Sequence, residues 1–201
     1  MPNTKKKLIT KADPSFAPAA KIAGGIRKVM HEPYGNPGDK SMPARLSLAV
    51  SEWLKSPDPE ACSPALSEFA FTYPGQPIRD ILKVDFGIDH LYDGDMVVKI
   101  PSINPFEKIV FPLGSSFVLC FGKLGVVDVL TGKAICCSNF ATLFKCKDML
   151  TGESIFKLKA PGNKGNLTVI RITLGFHRFE DDLQTTKISE SSGFVAAIYR
   201  K

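Results

Sequence analysis

Apolar positions recur along this chain at two different spacings. Leu46, Val50, Trp53 and Leu54 fall at helical intervals, with Ser41 ahead and Lys55-Ser56-Pro57 behind as stop signals, which predicts a helix over 43–55. A loop runs from Pro57 to Pro64. Leu66 follows, and then Phe69, Phe71 and Tyr73 alternate as a strand would. Pro77 opens a second helix, because its fixed φ suits a first turn, and Ile78, Ile81, Leu82 and Phe86 line one face until Gly87 interrupts it. Asp93-Gly94-Asp95 ends whatever continues through Leu91.

The second half reads differently. Segments 96–100, 108–111, 117–121, 126–130, 134–137, 142–146, 154–158, 167–174 and 193–199 are short, β-branched or aromatic, and separated by Gly, Pro, Asn and Asp. Asp128-Val-Leu-Thr-Gly-Lys-Ala-Ile135 recurs in altered form as Asp148-Met-Leu-Thr-Gly-Glu-Ser-Ile155. Two copies are too few for a solenoid, so they predict two hairpin turns in which Gly132 and Gly152 supply positive φ. Gly122-Lys123-Leu124-Gly125 resembles another turn, and 160–166 a surface loop. Helices grouped early and strands grouped late predict an α+β fold, a mostly antiparallel β-sheet with two or three helices.

Residues 1–40 fit neither pattern. They hold five prolines, the pair Gly24-Gly25 and few large apolar side chains to offset the entropy of ordering, so they predict a disordered arm ahead of a single globular domain, 41–201. Residues 19–23 and 26–30 could make a short basic amphipathic turn on a surface, but the glycines predict coil in isolation. Charge sharpens the division. Lys5, Lys6, Lys7, Lys11, Lys21, Arg27, Lys28 and Lys40 stand against Asp13, Glu32 and Asp39, so the arm carries +5 of the chain's net +6.

Several classes fall away. No run of 18 apolar residues is present, and no 7–15-residue apolar stretch follows the first charges, so neither a spanning helix nor a secretory signal is expected. Cys62, Cys120, Cys136, Cys137 and Cys146 are odd in number and include no CxxC pair, which predicts reduced, buried thiols in a cytosolic chain, where the sequon at Asn166 would be idle. His31, His90 and His177 lie in no metal-ligand spacing, and Asp80, Asp85, Asp89, Asp93 and Asp95 read as a solvated face. With no GxSxG, GxxxxGK[ST] or post-strand GxGxxG, the expectation is a non-enzymatic protein without cofactor or metal.

Binding remains. The lysine-rich arm suits an anionic membrane leaflet, nucleic acid, or no partner beyond water. Only Phe16 and Tyr34 supply aromatic rings there, too few for stacking on single strands, so the membrane leads and Lys5, Lys6, Lys7, Lys11, Lys21, Arg27 and Lys28 are the candidate contacts.

Asp89-His90-Leu91-Tyr92-Asp93-Gly94, then Pro105-Phe106-Glu107-Lys108-Ile109 ahead of Leu113-Gly114-Ser115-Ser116, resemble paired segments of the matrix proteins of vesiculovirus-type rhabdoviruses. Ser192-Gly193-Phe194-Val195 is similar to their C-terminal Ser-Gly-aromatic-Val. The resemblance implies a structural protein of the virion, lying beneath the envelope and, during assembly, in the host cytoplasm, at the inner face of host membranes and in the nucleus. Such a protein self-associates, condenses the ribonucleocapsid, drives budding, and contacts the glycoprotein tail and host factors. It further implies a self-association loop near Gly122, Lys123, Leu124 and Gly125, where an ordinary hairpin turn is the alternative, and a host-factor contact at Met30, Glu32 and Tyr34. Neither PPxY nor P[ST]AP is matched: Glu32-Pro33-Tyr34 lacks the first pattern, and Pro14-Ser15-Phe16-Ala17-Pro18 has one residue too many for the second. The competing expectation is an icosahedral coat protein whose arm binds RNA and whose strands form a jelly roll. Against it, the arm has only one arginine, Arg27, and two early helices fit a jelly roll poorly.

Overall fold

The computed structural model describes residues 16–30, 39–58, 64–71, 76–91, 94–161, 163–181 and 184–200. In chain order the elements are α1 (Phe16–Met30), α2 (Met42–Leu54), α3 (Pro64–Ser67), α4 (Ile78–Ile81), β1 (Gly87–His90), β2 (Met96–Ile100), α5 (Pro105–Lys108), β3 (Phe117–Asp128), β4 (Ala134–Lys145), β5 (Ser154–Leu158), β6 (Asn166–Asp181) and β7 (Gln184–Tyr199). The fold is α+β and its strands pair antiparallel, as the grouping of patterns predicts. The helices beyond expectation are α1 and the single turns α3 and α5, of four residues each.

Leu167 to Phe176 has no polar face, the signature of a strand covered on both sides. That stretch of β6 lies inside a four-stranded sheet of order β4-β3-β6-β7, in unbroken register with β3 from Phe117 opposite His177 to Asp128 opposite Asn166. One face packs Val118, Cys120, Leu124, Val126, Ile170, Ile172 and Leu174 against β2 and β5 of a smaller sheet, order β1-β2-β5. The opposite face packs Val127, Leu167, Val169, Phe194 and Ala197 against α1, α2 and α3. Successive residues thus serve two cores, as a period of two requires. In β7, Ala196 pairs with Ile170 and Phe194 with Arg171, leaving Val195 as an extra residue. The bulge lets both Val195 and Ala196 face the small sheet while Phe194 faces the helices.

Several expectations need correction. Residues 16–30, expected as part of a disordered arm, form α1, with Ala19, Ile22, Ala23, Ile26, Val29 and Met30 buried. The division expected at residue 40 therefore runs through a packed core. Segments 117–121 and 126–130 join into β3, and 134–137 and 142–146 into β4, because Gly122 and Gly125 stand within β3. Gly132 does take a positive φ, 68°, but Gly152 does not. The helix from Pro77 stops after one turn because Leu82 bridges Ile109 and the Lys83 N–H donates to Lys108 C=O, drawing the chain into extended form ahead of β1. The predicted strand at 108–111 begins as α5 instead, capped by the Asn104 carboxamide accepting from Phe106 N–H at 3.1 Å. Of the predicted strand at Phe69 and Phe71, only a bridge from Ala70 to Gly193 forms, and Tyr73 lies outside the described residues.

The Phe140 ring lies over Gly122, so a Cβ there would fall 1.8 Å from its Cζ, and that ring is itself stacked on Phe156 at 4.6 Å. Gly122→Ala is expected to cost about 3 kcal/mol in urea unfolding, and a second change, Phe140→Leu, to recover part of it.

Candidate functional site

α1 is amphipathic in a particular way. Its inward stripe packs on α2 and on β3, while Ala17, Ala20, Lys21, Arg27 and Lys28 face water along the opposite side. The helix contains no Asp or Glu, so that outward stripe is wholly cationic, and Arg27 and Lys28 in its last turn also meet the negative end of the helix dipole.

Close approach fixes α1 in place. A Cβ at Gly125 would fall 2.4 Å from Val29, and one at Gly25 would fall 2.3 Å from the Gly132 carbonyl oxygen. Glycine at these positions lets the helix lie against β3 at one end and against the turn between β3 and β4 at the other. That turn is closed by the Gly132 N–H donating to Asp128 C=O at 2.8 Å and the Thr131 N–H donating to the Asp128 carboxylate at 2.7 Å. The latter bond holds the Asp128 carboxyl below its ordinary value. At its tip Leu130 is 91% exposed and Lys133 is exposed beside it, with Lys21 of α1 packed against Gly132. The cationic stripe thus continues onto a projecting apolar tip.

The C-terminal end of α1 is held from within. Arg171, a single cation in the apolar run of β6, is buried; its guanidinium donates to Met30 C=O at 3.0 Å and to Ser192 Oγ, and lies 4.4 Å over the Phe71 ring. Arg45 does related work at the other side of the aromatic group, donating to Ala70 C=O at 3.0 Å and lying 5.0 Å over Phe69. Sequence reasoning missed both. An arginine inside Val169-Ile-Arg-Ile-Thr173 was a readable signal, since an unpaired cation does not survive among such neighbours.

Among the membrane candidates, Lys21, Arg27 and Lys28 share the outward side of α1, whereas Lys5, Lys6, Lys7 and Lys11 lie outside the described residues. Gly122, Lys123, Leu124 and Gly125 are not a loop: they occupy mid-β3, with Leu124 fully buried and both glycines beneath packed side chains, so they offer no exposed self-association loop. Met30 is buried in the helical core and so unavailable to a host factor; Glu32 and Tyr34 lie outside the described residues.

The remaining chemistry is dispersed. Cys120, Cys136, Cys137 and Cys146 are free thiols, and burial pushes Cys120 up to about 12, while Cys137 is exposed, contrary to the expectation of buried thiols. Cys62 lies outside the described residues. Asp80, Asp85 and Asp89 are exposed as expected, but Asp95 is buried and paired with Lys157 and Lys159; Asp93 lies outside the described residues. Among the described residues no group of three His, Cys, Asp or Glu could hold a metal ion, and no helix is long and apolar enough to cross a membrane.

No family model matches the chain, and no curated protein matches it.

His177 lies stacked on Phe117 at 5.2 Å with its Nδ1 buried and without a hydrogen-bond partner. Burial, and then the Lys187 cation across the strand pair, hold it below the ordinary histidine value; burial and Arg200 do the same to His90. A histidine whose pKa is depressed by folding stabilises the fold above its unfolded value, near 6.5, and that contribution is lost as pH falls toward the depressed value. The urea midpoint is therefore expected to fall between about pH 7 and pH 5. His177→Gln should flatten that slope; an unchanged slope would place the titration elsewhere.

Proposed function

We propose that this chain is a non-enzymatic viral matrix protein of the vesiculovirus type, which meets the inner face of an anionic membrane, associates with itself and condenses a ribonucleocapsid during assembly and budding. The single observation that carries the membrane role is the outward stripe of α1, with Lys21, Arg27 and Lys28 and no carboxylate on the helix, fixed on the body by glycine contacts. A rigidly displayed cationic stripe loses less entropy on meeting a surface than a free tail does. The paired segments at 89–94 and 105–116 and the Ser192-Gly193-Phe194-Val195 end support the family. Helices packed on the outer face of the four-stranded sheet, and, among the described residues, seven strands divided four and three between two sheets, also favour a matrix protein over an eight-stranded jelly-roll coat.

The architecture changes the experiment that tests this. Removing residues 1–40 would delete α1 and with it part of the helical core, so loss of binding would report unfolding. The informative variants are deletion of 1–15 and the surface change Lys21→Glu/Arg27→Glu/Lys28→Glu. Each Lys or Arg near an anionic leaflet is worth about 1 kcal/mol, and reversal adds repulsion to that loss, so the triple variant should weaken co-sedimentation with phosphatidylserine vesicles at least about a hundredfold. Wild-type binding should fall as salt rises from 0.05 to about 0.5 M. Binding indifferent to salt and to both variants would refute the membrane role, and closed shells in electron micrographs of purified assemblies would favour the coat protein.

A further inference from the structure

The end of the molecule opposite α1 carries a second surface of different chemistry. Two chain segments meet there and are tied at both ends. At one tie the Thr151 N–H donates to Ile103 C=O at 2.8 Å and the Ile103 N–H to Thr151 Oγ1 at 3.2 Å; at the other the Cys146 N–H donates to Ser116 C=O at 2.9 Å. Between the ties lie residues 104–115 of one segment and 147–150 of the other. They form one lobe. It displays Phe106 at 75% exposure, Val110 at 49%, Leu113 at 100%, Met149 at 86% and Leu150 at 70%. Scattered single apolar side chains are ordinary on a surface, but five large ones on two bonded loops expose apolar area whose hydration is unfavourable.

We infer that this lobe is a self-association surface through which one copy of the chain docks against the same lobe of a second. Its charges select the occupant. Within the two segments Glu107 and Asp148 balance Lys108 and Lys147, so these loops carry no net charge and both signs on each. An anionic leaflet or nucleic acid calls for net positive charge, which the α1 stripe has and the lobe lacks. A twofold contact, by contrast, sets a patch against its own copy, where a surface bearing both signs around an apolar centre can complement itself. Placement agrees: along β3, at strand spacing, the lobe at its start lies roughly 26 Å from the α1 contact at Gly125 and roughly 36 Å from the Leu130 turn at its end. Contact end to end, with the twofold axis along the sheet normal, leaves the α1 stripes of both copies on one side and free.

The inference names the surface for the self-association in the proposed reading, and it rests on that reading only for the expectation that copies assemble. Sedimentation velocity of the full chain over a hundredfold concentration range, beside Leu113→Ser/Met149→Ser/Leu150→Ser and Phe106→Ser, tests it. These side chains are exposed, so the variants should keep the wild-type circular dichroism and vesicle binding. The expected result is a dissociation constant raised at least about a hundredfold in the triple variant. Assembly unchanged in both variants overturns the assignment and leaves the matrix reading standing. A wild type monomeric throughout yet bound to anionic vesicles overturns the inference alone; no vesicle binding at any salt overturns the reading. Salt-independent partition of the wild type into neutral phosphatidylcholine vesicles, lost in the triple variant, would make the lobe's occupant a bilayer and overturn the inference.

Discussion

How closely α1 can approach the four-stranded sheet decides most of the rest. Gly25 and Gly132 admit the turn between β3 and β4 to the helix, and Gly125 admits Val29 and Met30 to β3, so the helix backbone lies nearer the sheet than ordinary side chains allow. The same approach brings Met30 C=O within reach of Arg171, which turns a costly buried cation into a bonded one. Without that docking, Ile22, Ile26 and Val29 would lose their partners, and the cationic stripe would become a coil like the one its composition predicts.

This explains why α1 was hidden in the sequence. Two adjacent glycines weaken an isolated helix, and the surrounding prolines and lysines read as a tail. The glycines weaken the helix locally and permit it globally, a trade that only the partner surface reveals. The Gly122–Gly125 stretch misleads in the same way: glycine in a strand marks either a turn or a close approach, and here Phe140 on one face and α1 on the other require the approach. By contrast β2, β5 and α2 stand close to their predicted bounds, because alternation or helical spacing with clear flanking punctuation leaves little for tertiary structure to override.

The candidate site was legible in composition but not in placement. Counting charges located the basic residues in the first forty positions, and three of them do share one face. Nothing in the spacing of Leu130 or Lys133 revealed that their turn would lie against Lys21, since that proximity arises from β3 leading back to the helix. Arg171 was within reach of reasoning, because a lone arginine in a strand of Val, Ile and Leu must find acceptors, though not of identification, because the Met30 carbonyl is 141 residues away.

The distribution of charge follows from this geometry. A protein that is basic all over would repel its own copies as strongly as it attracted an anionic partner. Here the surplus is confined to one helix stripe and to the residues preceding it, while the distant lobe keeps equal numbers of each sign around apolar side chains. Separation by the length of β3 exceeds the screening length at physiological salt, about 8 Å, several times over. Charge at one end therefore barely affects packing at the other. The two surfaces can act at once, and copies could crowd on an anionic sheet without their cationic stripes opposing the contact between lobes.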